Sequence, residues 1–150
     1  MSTISALNPA QFLASADING KPVSFFTPPH SEPDLPWVDL RELALAVLPE
    51  KEAEVLTAAF PRLYRENGQS PYATAVIANR SCAIISHLQA QAFAGMADTL
   101  KGISVEEDGP EFEAYWDAFA EIFNGHVRMS WSEYAWAVGN IGGPFGSPRH

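Results

Sequence analysis

The sequence predicts an α+β fold: one or two β-hairpins packed against about five short helices in a single compact domain. Two observations predict it. Asn-containing turns divide short apolar stretches into strand pairs, and capping residues repeatedly precede stretches whose apolar positions recur with helical spacing. The composition agrees, since 150 residues with 47% hydrophobic and 18% charged content match an ordinary folded domain. With one cysteine, Cys82, there is no disulfide framework and no multi-cysteine metal cluster. Packing alone must hold the core.

Taking the elements in order, Asn19-Gly20 lies between Ala14–Ile18 and Val23–Thr27 and supplies the positive φ angles of a two-residue hairpin turn. Pro22 lacks an N–H, which places the start of the returning strand at a sheet edge. Four prolines between residues 28 and 36 then predict a stiff connecting loop. Asp39-Leu40-Arg41-Glu42 has the form of a capping box, with Val38 and Leu43 as its hydrophobic staple, and opens a helix from about Leu40 to Leu48. A second helix is predicted from Glu50 to about Glu66, kinked or split by Pro61 and stopped by Asn67-Gly68. Tyr72–Ala78 and Cys82–Ile85 read as two short strands around Asn79-Arg80-Ser81. Ser86-His87-Leu88-Gln89 is another capping box, leading into a helix whose stripe is Leu88, Ala92, Met96 and Leu100, ending at Gly102. Asp108-Gly109-Pro110-Glu111 opens the next helix, with Phe112, Tyr115, Trp116, Phe119, Ile122 and Phe123 on one broad face and Gly125 at its end. Ser130 caps a last short helix with Tyr134, Ala135 and Val138 inward. Residues 1–138 thus form the domain and 139–150 a Gly/Pro-rich flexible tail.

Charge narrows the function classes. The net charge is −9 and the pI about 4.7, with acids concentrated before residue 51 and after residue 102. Broad nucleic-acid binding is disfavoured, because it depends on Lys and Arg neutralising phosphates. No apolar run approaches the roughly 18 residues of a membrane span, and no basic start and apolar stretch marks a signal peptide, so the expected location is cytoplasmic.

Within the acidic C-terminal third, Glu113, Asp117 and Glu121 follow one another at i, i+4 spacing, preceded by Glu106, Glu107 and Asp108. On a helix the three project from one face about 6 Å apart along the axis, with no base at i+4 to pair them. They read either as a solvated helix face or as a docking surface for a basic partner, including one whose nucleic-acid site they occupy. Trp136 cannot share the inward face of Trp131 and Tyr134, and reads either as a candidate interface anchor or as a ring packed under the Gly-rich tail. Arg62, Arg65 and Arg80 read either as charges offsetting neighbouring carboxylates or as a small phosphate-contacting patch. Cys82 and His87 are close in sequence but lack an orienting third group, so Cys82 reads as a buried small hydrophobe beside a surface histidine. The four histidines show no ligand spacing, and neither a metal nor a cofactor is expected.

The hairpin with its Gly turn, followed by Leu35-Pro36-Trp37-Val38-Asp39-Leu40-Arg41-Glu42-Leu43-Ala44, resembles the opening of the Bro-N-type domain of phage antirepressors over about residues 18–48. The resemblance implies a phage or mobile-element regulatory protein that acts by binding. Three functions are therefore expected, in order. The first is a non-enzymatic acidic regulator or inhibitor docking on a protein partner; the second is a DNA-binding regulator of the antirepressor type; the third is a small enzyme using Cys82.

Overall fold

A computed structural model describes residues 10–29, 35–63, 73–77, 79–104, 107–127 and 130–141. The elements in chain order are β1 (Phe12–Ile18), β2 (Lys21–Phe26), β3 (Trp37–Asp39), α1 (Leu40–Val47), α2 (Glu50–Leu63), β4 (Ala73–Ile77), β5 (Arg80–Ile85), α3 (His87–Leu100), α4 (Pro110–His126) and α5 (Trp131–Ile141). The strands form one antiparallel sheet in the order β1-β2-β3-β5-β4, so the fold is α+β. No helix among the described residues is long and apolar enough to cross a membrane.

The first hairpin turns on Asn19 and Gly20, whose φ angles of 55° and 82° are those the Asn-Gly pair was expected to supply. Pro22 lies where β3 does not reach, since β3 pairs only with Phe25 and Phe26. The next outward donor on that edge, the Ser24 N–H, is taken by the Glu42 carboxylate at 2.7 Å. This corrects the first capping box. Asp39 accepts from the Glu42 N–H at 2.9 Å as a cap should, but Glu42 serves β2 rather than reaching back.

β3 was not expected as a strand. It joins the two hairpins by pairing Val38 with both Phe25 and Ile85. The second turn is also shorter than the sequence suggests: Ile77 pairs with Arg80, so Arg80 and Ser81 belong to β5. Helix α2 runs on through Pro61 to Leu63 without splitting, while Asn67-Gly68 and residues 30–34 of the proline-containing loop lie outside the described residues.

One face of the sheet carries the main core. Ile18, Val23, Phe25, Val38 and Ile85 meet Leu43 and Val47 of α1, Phe93 and Ala97 of α3, and Tyr115 and Phe119 of α4. On the opposite face Phe26, Ala75 and Ile84 form a small second cluster with Trp37 and Cys82 against it. Helix α3 buries Ala90, Phe93, Ala94 and Ala97, not the expected stripe: Leu88, Ala92 and Met96 are half-buried and Leu100 is exposed. Three alanines flank Phe93 on the packed face, and Leu88, Met96 and Leu100 fall to its side or outside it.

Helix α5 continues to Ile141, so residues 139–141 are helical rather than part of a tail; 142–150 lie outside the described residues. Its Ser130–Glu133 capping box is complete, with bonds of 2.9 and 3.1 Å. Tyr134 and Val138 pack on the core, whereas Ala135 is exposed, contrary to expectation.

Candidate functional site

The candidate site is built on α4, and its position is set from α3. Pro110 occupies the first turn, where a missing N–H costs nothing, but the N-cap Gly109 has no side chain to offer. Asp98, near the end of α3, fills that role across the gap: its two carboxylate oxygens accept from the Glu111 and Phe112 N–H groups, each at 2.9 Å. Both helices are thereby locked. A Cβ on Gly109 would fall within 2.6 Å of that carboxylate, so only glycine fits. Glu111 turns inward as well, accepting from Asn19 Nδ2 at 2.6 Å and pairing with Lys101.

The inner face of α4 holds an aromatic cluster centred on an unexpected residue. His87 is not a surface histidine; it is 1% exposed. Its ring stacks on Phe119 with centroids 3.7 Å apart, its Nδ1 meets the Tyr115 hydroxyl at 2.8 Å, and its Nε2 meets the Tyr134 hydroxyl at 2.6 Å. Burial lowers its pKa from 6.5 to about 3, so the ring is neutral at physiological pH. A neutral imidazole donates once and accepts once. Tyr115 is fully buried and Tyr134 only partly, which favours Tyr115 donating to Nδ1 while Nε2–H donates to Tyr134, whose own proton can reach water. Burial raises the pKa of both tyrosines.

Outward from this cluster α4 presents the acids. Glu113, Asp117 and Glu121 are all exposed, as are Glu107 and Asp108 before the helix; Glu106 lies outside the described residues. Among the described residues the ion pair that forms is Lys101–Glu111, and it leaves the three stripe carboxylates without a basic partner. Trp131 was expected inward with Tyr134, yet it is 40% exposed. Its ring lies tilted against Phe123 with centroids 4.2 Å apart and donates from Nε1 to Asn124 at 3.1 Å, two turns along α4 from Asp117. Its ring therefore stands at the C-terminal end of the acidic stripe. Trp136 is 70% exposed, on the side of α5 opposite Tyr134 and Val138.

The other candidates are dispersed. Arg80 is exposed at the start of β5, the side chain of Arg62 and all of Arg65 lie outside the described residues, and no arginine cluster is visible among those described. Cys82 is half-buried rather than buried. Burial, then the neighbouring Asp39, push its thiol up to about 11, and burial raises Asp39 in turn. A thiol so protonated is a poor nucleophile. Among the described residues no three His, Cys, Asp or Glu side chains gather as a metal site requires.

Sequence reasoning missed His87, Trp131 and Asp98. A signal for the first existed in the alternative α3 face, Ala90-Phe93-Ala94-Ala97, which continues backward to His87. Nothing local marks Asp98 as the cap of a different helix. Compared with known protein families, curated proteins and solved structures, the chain matches none.

Proposed function

We propose that this protein is a non-enzymatic binding protein that docks on a basic surface of a protein partner through the outer face of α4. One observation carries the reading: Glu113, Asp117 and Glu121 stand in line, exposed and without a basic partner among the described residues, on a helix fixed at both ends. Trp131 adds an aromatic surface beside them, the residue type that most often anchors an interface. The net charge of −9 supports steering toward a basic partner. The high thiol pKa of Cys82 weighs against the enzyme reading, and the likeness of residues 18–48 to the antirepressor domain supports a regulator or inhibitor of phage or mobile-element origin.

The test reverses Glu113, Asp117 and Glu121 to Lys together. Folding should hold, because each exposed substitution costs no more than about 0.5 kcal/mol. A partner captured by the wild-type chain should associate more slowly with the variant, and the rate should lose its dependence on ionic strength. An unchanged association rate would leave the stripe as a solvated helix face. Tight, steeply salt-dependent binding to duplex DNA would favour the DNA-binding reading instead.

A further inference from the structure

The two edges of the sheet, β1 and β4, are finished differently. β1 carries a register shift between Phe12 and Ala14 and an acid, Asp17, near its hairpin end. Bulges and charges are the usual devices that stop an edge from recruiting another strand. β4 reads Ala-Thr-Ala-Val-Ile, with no charge and no proline, and its register with β5 is unbroken over all five residues. Three of its residues are β-branched or favour extended backbone through Thr74, Val76 and Ile77.

The turn fixes which backbone groups face outward. Because Ile77 and Arg80 flank a two-residue loop, they form the closing hydrogen-bonded pair, and bonded and non-bonded pairs alternate from there. Thr74 and Val76 fall at non-bonded positions, so their N–H and C=O groups point away from β5. Among the described residues no backbone bond reaches them. Both side chains are exposed, Val76 by 63%. Two outward donors and two outward acceptors, spaced along an apolar strand, are complementary to another extended strand and to little else.

We infer that β4 pairs with β4 of a second copy of this chain, antiparallel about a two-fold axis through Ala75. Under that axis Thr74 of each copy faces Val76 of the other, and every outward N–H meets an outward C=O. Ala75 then faces its own counterpart as a non-bonded pair, where Cα atoms approach to about 4.5 Å and a methyl side chain fits. The match is self-complementary, as a two-fold interface requires. Charge agrees with it: β4 is neutral and the one charge on β5 is Arg80, so neither strand of this hairpin brings an acid to the seam. The inference is independent of the acidic face of α4, which lies on a different element.

Sedimentation velocity of the full chain, from about 1 to about 500 μM at near-physiological salt, reads the result directly. The wild-type chain should pass from monomer to dimer with concentration. Val76→Pro removes one outward donor while sparing the bonds to β5, and Val76→Lys places a charge on the seam. Each should raise the dissociation constant at least about tenfold, with circular dichroism confirming the fold. Amide exchange gives a second measurement on the wild-type chain: the Thr74 and Val76 N–H groups should become protected as the concentration rises. A monomer throughout the range overturns the inference, whether or not β4 captures an extended peptide of another protein. So does a dimer in which those two amides exchange freely. Should Val76→Pro fail to fold, Val76→Lys and the wild-type exchange decide.

Discussion

Burying His87 between two tyrosines makes the stability of the fold depend on pH in a way that can be calculated. The unfolded ring titrates near 6.5, the folded ring near 3, so the fold holds the neutral form. A group depressed in this way contributes its full stability above pH 6.5 and loses it as the pH falls toward 3. Between about pH 7 and about pH 5 the unfolded ring goes from about one-quarter protonated to almost fully protonated while the folded ring stays neutral, and the loss is ~2 kcal/mol. That figure requires only that the folded pKa lie well below 5. Urea unfolding at the two pH values should show it. In His87→Gln the loss should shrink by about that amount, while carboxylates elsewhere contribute equally to both proteins. Should the substitution prevent folding, the ¹⁵N shifts of His87 in the native protein still report the answer, remaining those of a neutral ring at about pH 5. A wild-type chain as pH-sensitive as the variant, or a ring that titrates near 6.5 in the folded state, would refute the enclosed His87–Tyr115–Tyr134 arrangement.

Three further outcomes follow from single residues. Gly109→Ala should displace the Asp98 carboxylate from the start of α4 and cost about 1–3 kcal/mol, whereas Gly125→Ala, with open space around it inside the same helix, should stabilise by up to about 1 kcal/mol; thermal melts of the pair compare them. Asp39→Ala should lower stability by about 0.5–2 kcal/mol through loss of the α1 cap, and an unchanged melting temperature would remove that assignment. The same substitution should speed alkylation of Cys82, because the carboxylate that helps hold the thiol protonated is gone; native Cys82 should react slowly at neutral pH.

The parts of the fold that were legible are those whose cause is local. Asn19-Gly20 announces its hairpin because few other residue pairs tolerate two successive positive φ angles, and Ser86 announces α3 because cap and capped N–H are three residues apart. β3 had no such cause. Three residues became a strand because Phe25 and Ile85, distant in sequence, lie on either side of Val38. The α3 face was misjudged because hydrophobicity puts Leu88 inside, while Phe93 and the alanines flanking it take the packed face. His87 shows the same limit in the site itself. Its two partners lie 28 and 47 residues away, and no sequence pattern joins them. The acidic stripe, by contrast, was legible because i, i+4 spacing on one helix is a local property.

What the sequence could not give was how firmly that stripe is held, and this bears on whether it can bind. Association must offset the ordering of both surfaces, so charges on a helix free to shift would gain little from a partner. Here the helix is fixed at both ends. Asp98 ties its first turn to α3, Glu111 ties it to the hairpin through Asn19, and Trp131 clamps its last turns through Phe123 and Asn124. Between those points Tyr115 and Phe119 seat the inner face on His87. The backbone carrying Glu113, Asp117 and Glu121 is thus ordered before any partner arrives, and only their side-chain rotamers remain to be fixed. Loosening a clamp should therefore weaken docking without changing a single carboxylate. Gly109→Ala should raise the dissociation rate for a partner bound through the stripe, while the salt dependence of association stays as it was.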